Sequence, residues 1–583
     1  MAQTEKPADS LNSVPKHWAP PVNFETFQKV FHKASLFQRT ALRPYRDNDF
    51  AGLEKLSDIT GDTVQDLAIF SPQRLLLQET IIACDSRLYI EDDNHDVEAY
   101  GENFREIFEI IYERYVKPEA ARLFADLDEK FAAVERDVTR DVADLLDSEN
   151  PDLWLYSALM AGGDNGGYEE TAFQREQRRK VGSLDTYYRR LVRKGVDKTR
   201  SPQEFKDLLI RLVTARTYDL TARDYLLHEI KGCIKEAIAD NEVTALERIN
   251  AKDALLHIIH GPPSAGKTTL RPRIMQAARN QGISWASVMV LNADVWREFL
   301  LEGKDLGEDA DYWGPLTDNE LSIMWDRMDI LLRRKWHIQP HIAVDHFYPD
   351  RSELATYPNR TDHFHTSLLL AHPDQIIQRS YNRGQIEGRY ITVPELLYHM
   401  RETYKAYGPY FRSAAGENVR IEIVDNAVPL GMEPKTVAFG DMSKDELNVF
   451  DVAGILLIDR YRQVNPAATK PSELFDMNTR DLANNLGFLD ELADNLTLKF
   501  ADGHMVIYAV YSKQKGLTIY DGDFFESRKQ DPYYRAAFDR LTELAQKGRG
   551  VHCAENNQKL AVATAGMIGV QVQDCFARTL VHS

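Results

Sequence analysis

The sequence predicts a multidomain fold with an α-helical N-terminal region, a central α/β domain containing a five-stranded parallel sheet, and a C-terminal α+β domain. The chain has 583 residues, and at about 100–200 residues per domain this length requires several folding units. The spacing of apolar residues also changes near residues 250 and 440, from long helical periodicity to short apolar runs between helices, and then to a mixed pattern. We therefore divide the chain into a flexible segment at 1–23, one or more helical domains at 24–249, the α/β domain at 250–436 and the C-terminal domain at 437–583.

The helical region is predicted from three- and four-residue spacings of apolar side chains. Residues 103–136 carry Phe104, Ile107, Phe108 and Ile111 at these spacings, which is typical of a helix that buries one face. The glycine-rich run at 162–167 is expected to break the helical pattern. Further helices are predicted at 184–194, 202–217 and 222–239.

The central region alternates buried strands with helices, which indicates a parallel sheet covered on both faces. The predicted strands are short apolar runs, at 254–260, 285–291, 338–344, 366–371 and 419–424. The C-terminal region is mixed. Its predicted elements are helices at 444–462, 478–496 and 532–546 and a hairpin formed by 505–511 and 517–520.

Composition excludes several classes of protein. Lys and Arg number 71 against 90 Asp and Glu, a formal charge of −19, which argues against a general nucleic-acid coat or a binder of anionic membranes. The four cysteines are far apart and include no CxxC pair, so neither a disulfide framework nor a cysteine zinc site is expected. No apolar run reaches the roughly 20 residues of a membrane-spanning helix, and the N-terminus lacks a secretory apolar segment. We expect a cytoplasmic protein, which leaves delivery into a host cell by a specialised secretion system open.

A phosphate-binding loop follows the first predicted strand of the central region. Gly261-Pro262-Pro263-Ser264-Ala265-Gly266-Lys267-Thr268 matches GxxxxGK[ST] between a strand and a helix. In such a loop the backbone N–H groups from Gly261, Ser264, Ala265, Gly266 and Thr269 surround phosphate oxygens, aided by the helix N-terminus. Lys267 is expected to reach the β- and γ-phosphates of ATP, and the Thr268 hydroxyl to ligate Mg²⁺. The alternative is a tight glycine turn without a ligand.

Two acids follow later strands at the same predicted sheet edge, where open α/β sheets bind ligands. Asp294, in Asn292-Ala293-Asp294, could accept a proton from a substrate hydroxyl, or it could cap the following helix. Asp345 could serve the Mg²⁺ ion in the manner of a Walker B acid, could bind substrate, or could simply end a strand.

Arginines lie between the fourth and fifth predicted strands, where P-loop kinases carry a mobile lid. Arg379 and Arg383 are four residues apart, and Arg389 follows a glycine-containing turn. Such arginines can neutralise charge on a phosphoryl group during transfer. The alternative is a solvated helix face.

Together these motifs resemble the zeta-toxin family of P-loop kinases. The resemblance is carried by GPPSAGKTTL, by VLNADVWR one strand later, by RSYNRGQIEGR and by the final strand RIEIVDNAVP. It covers about 250–436, roughly a third of the chain. The third strand departs from it, since Asp345-His346-Phe347 stands where the family usually shows a Glu-Gly-Thr-like element.

The resemblance implies an ATP- and Mg²⁺-dependent kinase, toxin- or effector-like. It would transfer the γ-phosphate to a hydroxyl of a nucleotide-type small molecule, either a UDP-sugar or a dinucleotide. It makes Lys267 and Thr268 the ATP and Mg²⁺ residues, Asp294 the catalytic base, and Arg383 and Arg389 the lid arginines. Asn426, after the last strand, would lie on the adenine side.

Other readings of the sequence stay open. One is a polynucleotide 5′-hydroxyl kinase, although the acidic balance does not favour nucleic acid. Another is an ATP-gated interaction protein without phosphotransfer, in which the N-terminal helical region binds a protein partner. A transition-metal site is conceivable where histidines crowd the central region, with Asp345 or Asp362 as a further ligand. These histidines are His341, His346, His363, His365 and His372.

Overall fold

The computed structural model describes most of the chain. The described residues are 50–62, 67–91, 99–161, 172–280, 282–301, 313–333, 337–387, 391–428, 432–554 and 560–562. The predicted segment at 1–23, the glycine-rich run at 162–167 and Arg389 lie outside these residues. Within the described ranges, no helix has both the length and the apolar character needed to cross a bilayer.

The N-terminal region is helical, as predicted. Its helices are α1 (Phe50–Thr60), α2 (Pro72–Arg87), α3 (Ala99–Ile111), α4 (Ala120–Leu146), α5 (Pro151–Ala161), α6 (Ala172–Arg193), α7 (Val196–Thr199) and α8 (Pro202–Ala239). The two helices predicted within 202–239 are a single helix of 38 residues, opened by a capping box between Ser201 and Glu204. The helix predicted at 103–136 is interrupted by a π turn at Tyr112–Val116 and a 3₁₀ turn at Lys117–Glu119, because Pro118 has no N–H to donate.

Five neighbouring parallel strands form the middle of the main sheet. They are β2 (Leu255–His260), β3 (Val288–Leu291), β5 (His341–His346), β6 (His363–Leu370) and β7 (Arg420–Asp425), in the spatial order β7-β6-β2-β5-β3. A separate two-stranded ribbon pairs β1 (Ile249–Asn250) with β4 (Ile338–Gln339). Every residue of β2 and β3 is buried. Strands buried on both faces have continuous apolar sequences, and such apolar runs are the basis on which these strands were predicted.

Helices cover this parallel segment and connect its strands. They are α9 (Lys267–Asn280), α10 (Ala293–Leu300), α11 (Trp313–Arg333), α12 (Arg351–Thr356), α13 (Pro373–Glu387) and α14 (Val393–Ala414). The parallel order places the carboxyl ends of β2, β3 and β5 at one edge. There the loop at 261–266 follows β2, Asp294 follows β3, and Asp345 is the penultimate residue of β5.

The sheet continues beyond the parallel segment, so the predicted five-stranded sheet is only partly confirmed. Strand β8 (Lys435–Asp441) pairs antiparallel with β7, and the described part of the sheet reaches twelve strands. The further strands are β9 (Glu446–Val449), β10 (Thr497–Ala501), β11 (Val506–Ser512), β12 (Gly516–Ile519), β13 (Val551–Cys553) and β14 (Leu560–Ala561). The predicted hairpin is confirmed by the antiparallel pairing of β11 with β12.

The C-terminal helices are α15 (Val452–Tyr461), α16 (Gly487–Asn495), α17 (Gly522–Arg528) and α18 (Pro532–Gln546). The helix at 532–546 is confirmed, whereas the helix predicted at 444–462 begins only at Val452. Its first part is β9, and the Asp451 side chain then accepts hydrogen bonds from Ala453 N and Gly454 N, which fixes the helix start. The helix predicted at 478–496 is likewise α-helical only from Gly487.

The N-terminal helices pack directly against the β3 edge of the parallel segment. In α2, Arg74 pairs with Glu320 of α11, with Nε 2.6 Å from Oε1. In α3, Phe104 and Phe108 pack against Phe299 of α10, with ring centroids 5.5 Å and 4.5 Å apart. One continuous apolar core therefore runs through the helical region and the sheet.

Candidate functional site

The turn between β2 and α9 has the backbone shape of a phosphate-binding loop. Ser264 has φ +60° and Gly266 has φ +90°, so the backbone is left-handed at two positions. A side chain at Gly266 would collide with the Asn426 amide and would lie 2.6 Å from Thr269 Oγ1. The close approach and the positive φ together require glycine at this position.

Two side chains from other elements support the loop. Asn426 Nδ2 donates to the Ala265 carbonyl oxygen at 2.7 Å. Arg379, on α13, donates to the same oxygen at 3.1 Å and to the Asn426 carbonyl oxygen at 2.9 Å. Arg379, which the sequence grouped with the lid arginines, thus contacts the loop itself. A contact between Asn426 and nucleotide stays a prediction.

Lys267 lies at the first turn of α9, beneath the loop. Its ammonium donates to the Gly261 and Pro262 carbonyl oxygens at 3.0 Å and 3.3 Å. It also lies 4.8 Å from the centre of the Phe347 ring. Loss of hydration around the ammonium lowers the Lys267 pKa to about 8, while Asp345 and Asp294 act in the opposite direction. The lysine and both predicted acids therefore share one electrostatic environment.

Asp294 does not cap α10, so that alternative reading is wrong. The N-cap is Asn292, whose side chain accepts a hydrogen bond from Asp294 N at 3.0 Å. The Asp294 carboxylate lies 3.6 Å from Arg383 Nη1 and 3.6 Å from Arg297 Nε. The Asp294 side chain is about one-third exposed to solvent.

Asp345, the other predicted acid, is the penultimate residue of β5 and is partly buried. One of its oxygens lies 3.0 Å from Arg271 Nη2 on α9. Thr268 is the second residue of α9 and is partly buried. The roles of Asp345 and Thr268 toward Mg²⁺ stay predictions. The ion pair between Arg271 and Asp345 was not predicted from the sequence.

The residues fit an ATP and Mg²⁺ site by their own chemistry. The left-handed loop and the start of a 14-residue helix supply backbone donors for phosphate oxygens. A lysine ammonium, a threonine hydroxyl and two carboxylates complete the set of groups that phosphoryl transfer uses.

One further side chain near Asp294, that of Arg297, was missed from sequence. Arg297 is buried, stacks 5.5 Å from the centre of the Trp313 ring and pairs with Asp318 at 2.7 Å. Its position three residues after Asp294 on one helix face is the signal that could have found it.

The predicted histidine cluster separates into different groups. His365 stacks on His257 with ring centres 6.0 Å apart, and His257 Nε2 lies 2.8 Å from Ser367 Oγ. His346 instead meets His260 and Glu353. Among the described residues, the ligand cluster considered for His363 and His365 with Asp345 or Asp362 does not form.

No family model and no curated protein matches the sequence. One solved structure with a local likeness comes from a characterisation of the PezAT chromosomal toxin–antitoxin system of Streptococcus pneumoniae. It shows 14% sequence identity over 33% of this chain and 77% of that chain, with a TM-score of 0.22. A TM-score of this size does not establish a shared fold.

Proposed function

We propose that the chain is an ATP- and Mg²⁺-dependent kinase that phosphorylates a hydroxyl of a nucleotide-type small molecule. The observation that carries the proposal is the meeting of Lys267, Asp294 and Arg383. Arg383 Nη1 lies 3.6 Å from Asp294 Oδ2, and both groups act electrostatically on Lys267. The resemblance of the same residues to zeta-toxin kinases supports this assignment.

Lys267, Asp294 and Arg383 would each have a different role in phosphoryl transfer. ATP with Mg²⁺ supplies the γ-phosphoryl group. Asp294 accepts the proton of the acceptor hydroxyl, whose oxygen then forms the new bond to phosphorus. Lys267 and Arg383 offset negative charge on the transferring group, and ADP leaves as the old phosphorus–oxygen bond breaks.

Arg383 Nη1 and Arg297 Nε each lie 3.6 Å from an oxygen of the Asp294 carboxylate. An ionised carboxylate is the form that can take a proton. Arg383 can also exchange its contact with Asp294 for one with phosphate, since both are anions that a guanidinium binds well.

The acceptor class follows from the resemblance and from charge. The formal charge of −19 disfavours long polyanions, whereas a UDP-sugar or a dinucleotide needs only a few local cations. We therefore expect a UDP-amino sugar or a dinucleotide cofactor to be phosphorylated in preference to a 5′-hydroxyl oligonucleotide.

The test incubates the full chain with γ-labelled ATP, Mg²⁺ and three acceptors: a UDP-amino sugar, a dinucleotide and a 5′-hydroxyl oligonucleotide. We expect label in one of the two small acceptors and none with Lys267→Ala, because that variant removes the phosphate-binding ammonium. Lys405→Ala, on the exposed face of α14, is the matched control and should keep activity. Label only in the oligonucleotide would favour a polynucleotide kinase. ATP binding without any labelled acceptor, including a metabolite extract, would contradict kinase activity and favour the ATP-gated interaction protein.

A further inference from the structure

Two histidines end neighbouring strands directly beneath the phosphate-binding loop. His260 is the last residue of β2 and His346 is the last residue of β5, and the two are register partners. Register partners on adjacent parallel strands project from the same face of a sheet. Their rings lie 5.7 Å apart at nearly a right angle, on the face that α12 covers.

Glu353 of α12 closes this group. Its Oε2 lies 3.2 Å from His260 Nε2, and its Oε1 lies 3.9 Å from His346 Nδ1. One ligand atom from each of the three residues falls within 4.8 Å of the other two. His260 is fully buried and the Glu353 side chain is 11% exposed. These polar groups therefore lie in the protein interior, where most side chains are apolar.

The donor set is that of a transition-metal site. Two imidazoles and one carboxylate bind zinc and other late first-row divalent ions. A tetrahedral ion with bonds of about 2.0–2.1 Å holds its ligand atoms roughly 3.3 Å apart. The 3.2 Å between His260 Nε2 and Glu353 Oε2 already matches that spacing, and one ring nitrogen of His346 lies within 4.8 Å of both ligand atoms.

Neighbouring groups orient these side chains as the outer contacts of metal ligands do. His346 Nδ1 donates to the Tyr348 carbonyl oxygen at 2.8 Å, which fixes the plane of that ring and leaves Nε2 as the nitrogen that would bind the ion. The Tyr410 hydroxyl lies 3.5 Å from Glu353 Oε2 and 3.1 Å from Thr366 Oγ1. Both contacts limit how far the ligands can turn away from one another.

A cavity gives the group access to small molecules. It has a volume of about 260 Å³ and reaches both His346 and Glu353. Trp325, Asp326, Asp329 and Tyr357 line it as well. A site with three protein ligands keeps a fourth position for water or a ligand, and this cavity provides room for it.

We propose that His260, His346 and Glu353 bind one divalent transition-metal ion of the zinc class. The site differs from the predicted Mg²⁺ site at Thr268 and Asp345, because it uses different side chains and nitrogen ligands. The site is also connected to the loop at 261–266, because Gly261 N donates a hydrogen bond to the His346 carbonyl oxygen at 3.3 Å. The inference does not depend on the proposed kinase activity.

The test titrates the chelator-treated full chain with Zn²⁺ by calorimetry and with Co²⁺ by visible absorption, in the absence of ATP and Mg²⁺. We expect one equivalent bound and the intense absorption of four-coordinate Co²⁺. His346→Ala and Glu353→Gln should each weaken binding by more than about tenfold, as loss of support for a metal ligand alone already does. His504→Ala, exposed in the turn before β11, should bind as the parent does.

Circular dichroism of each variant establishes that it is folded. The His346 side chain is about one-third exposed and Glu353→Gln keeps the size of the side chain, so at least one variant is expected to retain the fold. Failure of the parent chain to bind one equivalent would overturn the proposal. Unchanged binding by a folded His346→Ala or Glu353→Gln protein would also overturn it.

Discussion

At the residue scale, the turn at 261–266 needs a residue without a side chain at position 266. Gly266 combines φ +90° with a close approach to Asn426 and Thr269. Asn426 and Arg379 converge on the adjacent Ala265 carbonyl oxygen. The loop therefore has its shape before any ligand arrives, which reduces the ordering that binding requires.

We expect Gly266→Ala to destabilise the fold by about 1–3 kcal/mol, because it adds backbone strain to a steric clash. ATP affinity should fall as well. Gly282→Ala is a matched control, because Gly282 has φ +79° but open space where the side chain would stand. Denaturant unfolding and ATP titration of both variants give the comparison. Equal effects of the two substitutions would show that the clash with Asn426 and Thr269 does not matter.

At the element scale, the N-terminal helices hold the helix that carries Asp294. Trp296 of α10 donates from Nε1 to Asp85 Oδ2 at 2.6 Å. Tyr100 of α3 lies 2.7 Å from the Val290 carbonyl oxygen of β3 and 3.2 Å from Asp85 Oδ1. One hydroxyl hydrogen cannot serve both oxygens, so a proton on Asp85 would complete the arrangement. Burial raises the Asp85 pKa to about 7, in accord with a protonated carboxyl.

The raised Asp85 pKa gives a pH prediction whose sign can be worked out. Between pH 4 and about 7 the folded state binds this proton more tightly than the unfolded state, so the contribution to stability is lost as pH rises. Asp85→Asn imitates the protonated acid, with an oxygen for Trp296 and an N–H for Tyr100. As the pH rises from 5.5 to 8, we expect the melting temperature of the parent chain to fall relative to that of Asp85→Asn. Asp494→Asn, on the exposed end of α16, is the control, and its melting temperature should change with pH as that of the parent does. If the melting temperatures of the parent and Asp85→Asn changed in parallel with pH, the raised pKa assigned to Asp85 would be refuted.

The elements differ in how far the sequence could predict them. The strands β2, β3, β5, β6 and β7 were predicted to within a few residues, because buried parallel strands are continuous apolar runs. In contrast, β8 and β9 were missed. β8 spans the boundary predicted at 436, and β9 lies inside the segment predicted as a helix at 444–462. The loop and Asp294 carry local motifs, whereas Arg379 and Asp85 act through partners more than 100 residues away. No local pattern encodes such a contact.

At the scale of the whole molecule, the α/β unit shares its core and its sheet with both neighbours. Strand β8 crosses the predicted boundary at 436 and pairs with β7 along its length. On the other side, Glu320 and Arg327 of α11 are buried with partners from the N-terminal helices: Arg74 for Glu320, and Glu79 and Asp224 for Arg327. Removing one partner of a buried ion pair leaves an uncompensated charge, which costs about 3–5 kcal/mol.

We therefore expect a fragment of residues 250–436 to be unfolded or aggregated, although the motifs of the predicted kinase unit all lie within it. Truncation would cut β8 in two, expose the edge of β7 and strip the buried charges of α11 of their partners. Size-exclusion chromatography and thermal melting of the fragment beside the full chain provide the measurement. A monomeric fragment with a cooperative transition near that of the full chain would show that the unit is independent.

The central claim is that Asp294 takes the proton of the acceptor hydroxyl while Lys267 and the loop hold ATP. The most direct test measures turnover and ATP affinity separately in Asp294→Asn, with Asp494→Asn as the control. We predict that turnover falls by about 10²–10⁴-fold, the range for loss of a general base, while the ATP dissociation constant stays within about threefold of the parent value, a change of less than 1 kcal/mol. Parental turnover in Asp294→Asn would contradict the assignment of Asp294 as the base.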